Sequence, residues 1–166
     1  MKYAVGIDIG GTNTRVALIN ESYEIIERIQ FLTDVDDPDK TMDKIVETIS
    51  SFKLDIVGVG MSCPGPLDLI KGKILTTPNL HGKWHDCEIS KKLEEKIHIP
   101  VYLENDANLA ALAESVIGEG KAYDYVQYLT VSTGLGAGLV INKKIFIGAH
   151  GFANEVANCC MKHKGP

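Results

Sequence analysis

A short run rich in glycine and hydroxyl residues, Asp8 to Arg15, constrains this chain more than any other segment. It lies between two apolar runs, Tyr3 to Ile7 and Val16 to Ile19, which predict two β-strands joined by a tight turn. Gly10 and Gly11 carry no Cβ, so the backbone there can turn sharply and approach a ligand closely. The segment is either a plain β-hairpin or a hairpin that binds a ligand at its turn.

The chemistry of this turn suits a phosphate chain. The hydroxyls of Thr12 and Thr14, with successive backbone amides, can donate hydrogen bonds to phosphate oxygens. Asp8 could hold Mg²⁺ directly or through water, because this hard cation takes carboxylate and nucleotide oxygens. The spacing matches neither a Walker loop nor the glycine motif that opens a dinucleotide-binding helix.

A second segment, Leu129 to Ile141, repeats this organisation as strand, turn of hydroxyls and glycines, and strand. When Ile7 is placed on Leu129, Ile19 falls on Ile141, although few residues are identical. Two such hairpins indicate a duplicated nucleotide-binding architecture with ATP between the halves. The residues predicted to bind the nucleotide are Asp8, Gly10, Gly11, Thr12, Thr14, Thr133, Gly134 and Gly136.

Further motifs follow in order along the whole chain. They are Asp8–Thr12, Cys63–Pro66, Pro78–Leu80 with Trp84, Glu104–Asn108, Ala110–Glu114, Thr133–Gly138, and Gly148–Gly151 with Glu155. Their order and spacing resemble those of the ROK family (repressors, uncharacterised reading frames and sugar kinases) of the actin-like ATPase superfamily. The resemblance implies an α/β fold of the actin-like ATPase (ribonuclease H-like) type, with a mixed sheet and flanking helices in one lobe and the start of a second lobe.

The length of the chain fits part of such a protein. Its 166 residues could form one domain with a sizeable core. Because family members are nearly twice as long, we expect an N-terminal lobe over residues 1–118 and the beginning of a C-terminal lobe over residues 119–166. The boundary is predicted between Gly118 and Tyr123.

Hydrophobic periodicity predicts the secondary structure. Strands are expected over residues 3–9, 14–20, 25–31, 55–61, 100–104, 125–131, 138–142 and 145–147, and a short hairpin around residues 73–76. Helices are expected from Pro38, from Ile89 to Ile97, and over residues 105–117, the last closed by Gly118.

The residue predicted for catalysis is Asp106, between a predicted strand and a predicted helix, where backbone amides and the helix dipole favour a carboxylate. Phosphate transfer to a sugar hydroxyl needs positioning, charge neutralisation and an acceptor for the hydroxyl proton. An ionised aspartate suits the last task. An aspartate here can also cap the helix, and the two roles are compatible. The resemblance implies that Asp106 is the catalytic base and that Asn105 bonds sugar hydroxyls.

Three more residues are predicted to contact the sugar. Gly65 follows a proline and would let the sugar lie against the backbone. Asn79 offers an amide that both donates and accepts, which suits a pair of hydroxyls. The resemblance implies that Glu155 accepts hydrogen bonds from hydroxyls near the anomeric carbon. Arg15 and Lys143 are expected to be solvated side chains rather than phosphate ligands.

One departure from the family concerns zinc. Many members have a histidine three residues after the glutamate, then a cysteine cluster that completes a structural zinc site. Here that position is Asn158, followed by the adjacent cysteines Cys159 and Cys160, whose spacing does not suit tetrahedral zinc. We therefore predict no structural zinc and no dedicated metal ligands. The missing histidine also touches sugar in the family, so the identity of the sugar stays open.

The composition of the chain bears on which other partners and which cellular compartment are expected. A formal net charge of −5 without a basic cluster argues against nucleic acid. No apolar run reaches transmembrane length, and no signal-peptide core is present at the N-terminus. The four cysteines lack the spacing of a disulfide framework, so a reducing cytoplasm is expected. A homodimer is usual for the family.

Three functions fit these observations. The first is an ATP- and Mg²⁺-dependent sugar kinase acting on O6 of glucose or a related hexose, with N-acetylmannosamine as the alternative acceptor. The second is a sugar-responsive repressor, which in the family carries a helix-turn-helix segment ahead of the first glycine motif; here that motif begins at residue 6. The third is a non-catalytic sugar-binding relative. Asp106 and the two hairpins favour the kinase.

Overall fold

The computed structural model describes residues 1–77, 79–131, 134–151, 153–154 and 156. Contacts among the residues separate two compact units, Met1–Asn105 and Asp106–Pro166. A five-stranded sheet and a two-stranded hairpin belong to the first unit, and a three-stranded sheet belongs to the second.

The first unit consists of a mixed sheet and two α-helices. Its elements are β1 (Tyr3–Ile9), β2 (Asn13–Asn20), β3 (Ile25–Leu32), α1 (Pro38–Ser51), β4 (Ile56–Cys63), β5 (Leu67–Asp68), β6 (Lys73–Ile74), α2 (Ile89–Ile97) and β7 (Val101–Asn105), with a 3-10 helix at Gly82–Trp84. The sheet order is β3-β2-β1-β4-β7. β1, β2 and β3 form an antiparallel meander, whereas β1 and β7 both pair parallel with β4.

The core of this unit follows from the strand and helix periods. Val5, Ile7 and Ile9 alternate along β1 and are buried, because successive strand residues point to opposite faces of a sheet. The helices add apolar residues at helical spacing. The other largest fully buried side chains are Val16, Leu18, Met42, Ile45, Met61, Ile74, Leu80, Trp84, Ile89 and Leu93.

The start of α1 is fixed by a cap and an ion pair. Asp37 accepts a hydrogen bond from the Asp39 amide at 3.1 Å, and Pro38 occupies the first helical turn. The second carboxylate oxygen of Asp37 accepts from Lys83 Nζ at 2.8 Å. This hydrogen bond from the Lys83 ammonium lowers the pKa of Asp37 from its ordinary value.

The second unit packs one helix on a small antiparallel sheet. Its elements are α3 (Asp106–Val116), a 3-10 helix at Glu119–Ala122, β8 (Tyr125–Val131), β9 (Leu135–Ile141) and β10 (Lys144–Ile145), in the sheet order β10-β9-β8. α3 packs against β8 and β9. A Cβ added to Gly138 would collide with the carbonyl oxygen of Ala107, so this glycine lets the helix backbone approach the strand.

The predicted α/β class with a mixed sheet is confirmed. Most predicted elements lie within two residues of the observed ones. The start of β9 was predicted wrongly: the strand begins at Leu135 rather than at residue 138, because Gly136 pairs with Thr130 inside the ladder. Gly136, expected to form only a turn, thus belongs to a strand.

The division into compact units falls before α3, whereas the lobe boundary was predicted after it. The helix belongs to the second unit because it packs on the sheet of that unit. The predicted lobes of the complete protein stay a prediction. Within the described part of the chain, every helix is too short or too polar to cross a membrane.

Candidate active site

Polar residues meet where the parallel strands β1, β4 and β7 end. In the strand register, Asp8 lies beside Ser62, and Ser62 lies beside Glu104. Asn105, one residue further along β7, lies beside Cys63. Ligands of open α/β sheets bind outside the carboxyl ends of the strands. Two residues predicted for different ligands, Asp8 and Asn105, are therefore brought to the same edge of the sheet.

The glycine turn between β1 and β2 is held in place by hydrogen bonds. The Gly10 amide donates to the Asn13 carbonyl at 2.9 Å. Thr33, which follows β3, donates its amide to the Thr12 carbonyl at 3.0 Å and its hydroxyl to the Gly10 carbonyl at 2.8 Å. Sequence reasoning missed Thr33, because its role depends on how β3 pairs with β2.

The two threonines of the turn have different surroundings. Thr12 is exposed, as a phosphate ligand requires. Thr14 is fully buried, and its hydroxyl lies 2.9 Å from the hydroxyl of Thr33. This placement does not fit the predicted hydrogen bond from Thr14 to a phosphate, because that hydroxyl is already paired inside the unit. Thr14 instead helps to fix the turn.

Two glycines of the predicted site lie against two asparagine amides. A Cβ added to Gly11 would lie 2.5 Å from the Cβ of Asn79, so the turn and Asn79 are in close contact. The backbone N–H of Asn79 donates to Thr77 Oγ1 at 3.2 Å, which fixes the backbone at Asn79. A Cβ added to Gly65 would lie 3.5 Å from Asn105 Nδ2. The first unit thus brings two predicted sugar contacts, Gly65 and Asn105, side by side.

Asp8 is part of a hydrogen-bonded network. Its Oδ2 accepts from Arg15 Nη1 at 2.8 Å, and its Oδ1 accepts from Ser62 Oγ at 3.3 Å. Arg15 Nε donates to Gln30 Oε1 at 3.2 Å. Arg15 is exposed, as expected of a solvated side chain, but it is ion-paired with Asp8, and 46% of each of the two side chains remains exposed.

Asp106 is the first residue of the second unit and of α3. Its Oδ1 accepts a hydrogen bond from the Ala107 amide at 2.8 Å, and the residue is exposed to solvent. The amides of the first helical turn stabilise a negative charge at this position. Asp106 is thus an accessible carboxylate at a helix N-terminus, directly after Asn105 in the chain.

The second hairpin is described in part. Gly134 is exposed, and a Cβ added there would meet open space. A Cβ added to Gly136 would lie 2.9 Å from Thr130 Cγ2, so this glycine is required by strand packing. The predicted ligands Thr133 and Glu155 lie outside the described residues. Their roles stay predictions.

Lys143 is exposed, as expected, but its ammonium is bound by backbone carbonyls. Its Nζ donates to the carbonyl oxygens of Ser115 at 2.7 Å, Lys121 at 2.9 Å and Tyr123 at 3.0 Å, and lies 3.4 Å from that of Gly120. These carbonyls end α3 and the 3-10 helix after it. The ammonium therefore satisfies carbonyls that helix ends leave without partners.

Asp8 is the predicted Mg²⁺ ligand of the first unit. The described part of the chain contains no group of three or more histidine, cysteine or acidic side chains that could form a metal site. A single carboxylate beside the Ser62 hydroxyl fits Mg²⁺, which commonly takes one or two carboxylates and completes its shell with phosphate oxygens and water. Cys159 and Cys160, considered for zinc, lie outside the described residues.

Comparison with known proteins matches residues 4–166 to the ROK family. The xylose repressor of Bacillus subtilis (strain 168) is 31% identical over 172 residues, which cover 99% of this chain and 44% of that protein.

Two solved structures have the same fold. The ROK hexokinase from Thermus thermophilus has a TM-score of 0.90 at 32% identity, covering 99% of this chain and 55% of that one. A ROK family glucokinase from Streptomyces griseus in complex with glucose and AMPPNP has a TM-score of 0.83 at 30% identity. The match covers 96% of this chain and 51% of that one. The predicted actin-like ATPase fold is confirmed by these neighbours. The chain spans about half the length of these relatives.

Proposed function

Because the chain belongs to the ROK family, we propose that the complete protein is a sugar kinase that transfers the γ-phosphoryl group of ATP to a hexose hydroxyl. The observation that carries this proposal is the accessible carboxylate of Asp106 at a helix N-terminus, next in the chain to Asn105. Asn105 in turn lies beside Gly65 at the carboxyl ends of the parallel strands. The solved glucokinase relative with glucose and AMPPNP supports a hexose and ATP as the ligand pair.

The proposed reaction is a direct displacement. Gly65, Asn79, Asn105 and Glu155 are proposed to hold the sugar through its hydroxyls. As the sugar oxygen bonds to the γ-phosphorus, the bond from phosphorus to the bridging oxygen breaks, and ADP leaves with that electron pair. Asp106 accepts the hydroxyl proton and later releases it to solvent. We propose O6 as the acceptor because it is a primary and therefore unhindered hydroxyl.

The glycine turn of the first unit is proposed to bind the phosphates. Thr12 is exposed in this turn, and Gly10 and Gly11 are partly exposed. Asp8 with Ser62 would hold Mg²⁺, which neutralises phosphate charge when bound. The second hairpin, with Thr133, Gly134 and Gly136, is proposed as a phosphate-binding element of its own unit.

A regulatory protein is the second candidate. The observation in its favour is the Bacillus subtilis relative, which is named a xylose repressor. A repressor would share a sugar site with the kinases but would not require turnover. N-acetylmannosamine is the alternative acceptor, and a sugar-binding relative without catalysis is the third candidate.

An ADP-release assay with ATP and Mg²⁺ tests the proposal. The sugars are glucose, mannose, fructose, allose, N-acetylglucosamine and N-acetylmannosamine. The wild type should release ADP with one of them, and Asp106→Asn should lose activity by about 10²-fold or more, because the proton acceptor is removed. Asp124→Asn is the matched control, since Asp124 is an exposed aspartate of the same unit.

The outcomes separate the candidates. Sugar-dependent release that falls in Asp106→Asn and persists in Asp124→Asn supports the kinase. Binding of a sugar without any release, measured by calorimetry on the same preparation, contradicts the kinase and favours a regulator or a non-catalytic binding protein.

A further inference from the structure

A row of polar side chains crosses four neighbouring strands of the first sheet. The register pairs Gln30 on β3 with Arg15 on β2, Arg15 with Asp8 on β1, and Asp8 with Ser62 on β4. Residues paired in this way point to the same face of a sheet. Their side chains are joined by hydrogen bonds of 3.2, 2.8 and 3.3 Å from one end of the row to the other. Asp8, the member of the row on β1, lies two residues before Gly10 of the glycine turn.

Within this row, the guanidinium of Arg15 is oriented but exchangeable. Gln30 holds its Nε, which fixes the plane of the group and leaves Nη1 directed at Asp8. Both members of the ion pair are half-exposed, at 46% of each side chain. Exposed pairs of this kind contribute little stability and can exchange partners. A phosphate oxygen offers Arg15 the same type of charge-assisted hydrogen bond as the carboxylate does.

The charge distribution along the sequence points to the same residue. Residues 9–14, which include the glycine turn between β1 and β2, contain no lysine or arginine. Residues 62–70, which end β4 and continue beyond it, contain none either. A nucleotide brings several negative charges to this edge of the sheet, and a desolvated phosphate chain requires cations near it. Arg15 is the first cation in the chain after the turn.

We propose that Arg15 binds the nucleotide phosphates and that its pairing with Asp8 is the resting arrangement of the site. In the absence of nucleotide, the guanidinium neutralises Asp8. When nucleotide binds with Mg²⁺, the guanidinium moves from Asp8 to a phosphate oxygen, and Asp8 becomes available as a metal ligand. This inference rests on the proposed function, because it takes the glycine turn as the phosphate site.

A purely structural role of Arg15 makes a different prediction. If Arg15 served only to orient Asp8, its removal would act through Asp8 and would have no effect once Asp8 was changed. If Arg15 contacts phosphate, its removal weakens nucleotide binding whether or not Asp8 is present. A double-mutant cycle separates the two.

The test measures binding of AMPPNP by calorimetry, with and without Mg²⁺, to the intact protein. The variants are Arg15→Gln, Asp8→Asn and the double variant. Arg28→Gln is the matched control, because Arg28 lies two positions before Gln30 on β3 and pairs with Ala17 away from the turn. Thermal unfolding of each variant by circular dichroism checks that it is folded.

We expect Arg15→Gln to weaken AMPPNP binding by about tenfold or more, the usual effect of losing a hydrogen bond to a charged group. The loss should persist in the Asp8→Asn background, and Arg28→Gln should bind like the wild type. Wild-type affinity in Arg15→Gln overturns the inference, as does a loss that disappears in the Asp8→Asn background. A wild type that binds no AMPPNP also overturns it.

Failure of the proposed function would look different. In that case AMPPNP binding would depend on Arg15 as expected, while the wild type released no ADP with any sugar. The binding experiment therefore decides the role of Arg15 independently of turnover.

Discussion

Gly11, in the turn between β1 and β2, and Gly60, on β4, show that glycines serve different purposes within the first unit. A Cβ added to Gly11 would lie 2.5 Å from the Cβ of Asn79, whereas a Cβ added to Gly60 on β4 would meet no atom within 4 Å. Neither glycine has a positive φ, so space rather than backbone conformation makes the difference. Gly11 therefore sets the distance between the glycine turn and Asn79.

Gly11→Ala should disturb the site. The new methyl group must displace Asn79 or the turn, so we expect sugar-dependent ADP release to fall by about tenfold or more, with weaker sugar affinity. Gly60→Ala is the control and should keep wild-type activity and equal or slightly higher stability. Steady-state kinetics of both variants measure this. Equal kinetics in the two would show that contact with Asn79 is not needed.

At the residue scale, sequence patterns could suggest candidate residues but not the contacts that these residues make. The glycines, hydroxyls and carboxylates of the first turn could be recognised from their types and spacing. The pairing of Thr14 with Thr33 could not, because these residues are neighbours only through the register of β2 and β3. The partners of Arg15 could not be predicted for the same reason: Asp8 and Gln30 lie on adjacent strands.

At the scale of elements, the helix α3 depends on a glycine of β9. Gly138→Ala would place a methyl group against the Ala107 backbone, so we expect a loss of about 1–3 kcal/mol in the free energy of unfolding. Gly134→Ala is the matched control, since a Cβ there meets open space. Chemical denaturation followed by circular dichroism measures both. A Gly138→Ala variant as stable as Gly134→Ala would contradict the packing role.

The end of α3 depends on Lys143. Replacing it by methionine keeps most of the side-chain length but leaves the carbonyls of Ser115, Lys121 and Tyr123 without their donor. We expect Lys143→Met to lower the free energy of unfolding by about 1–3 kcal/mol. Lys144→Met, at the neighbouring exposed lysine, should leave it nearly unchanged. Equal stability of the two variants in denaturant titrations would rule out the capping role.

Helices and strands were more predictable than their ends. Regular hydrophobic spacing identified α1, α2 and the meander β1 to β3, because burial of one face follows from a regular pattern. The start of β9 was missed, since Gly136, which pairs with Thr130 inside the strand ladder, looks the same in sequence as a glycine needed for a turn. Such a distinction depends on the neighbouring element.

At the scale of the whole molecule, acid stability should depend on the pair of Asp37 and Lys83. Lys83 lowers the pKa of Asp37, so the folded state holds its carboxylate in the charged form more strongly than the unfolded state does. The resulting stability is present above the unfolded pKa and is lost as the pH falls below about 4. Asp37 also raises the pKa of Lys83, so the contribution of that ammonium is lost only in the alkaline range.

Lys83→Met should therefore reduce stability at pH 7 and flatten the decline of stability between neutral and acid pH. Lys91→Met, at an exposed lysine whose nearest carboxylate oxygen lies 4.0 Å away, serves as the control. Thermal midpoints measured from pH 7 to pH 3 give the profile. Parallel profiles for Lys83→Met and the wild type would contradict the role of the pair.

The central claim is that the protein transfers phosphate from ATP to a hexose, and the most direct measurement identifies the product. The protein is incubated with ATP, Mg²⁺ and glucose or another hexose, and the sugar is analysed by mass spectrometry and NMR. We predict one phosphoryl group on the sugar, at O6, formed in equal amount to ADP and absent with Asp106→Asn. A wild type that binds both ligands but yields no phosphorylated sugar would contradict the account.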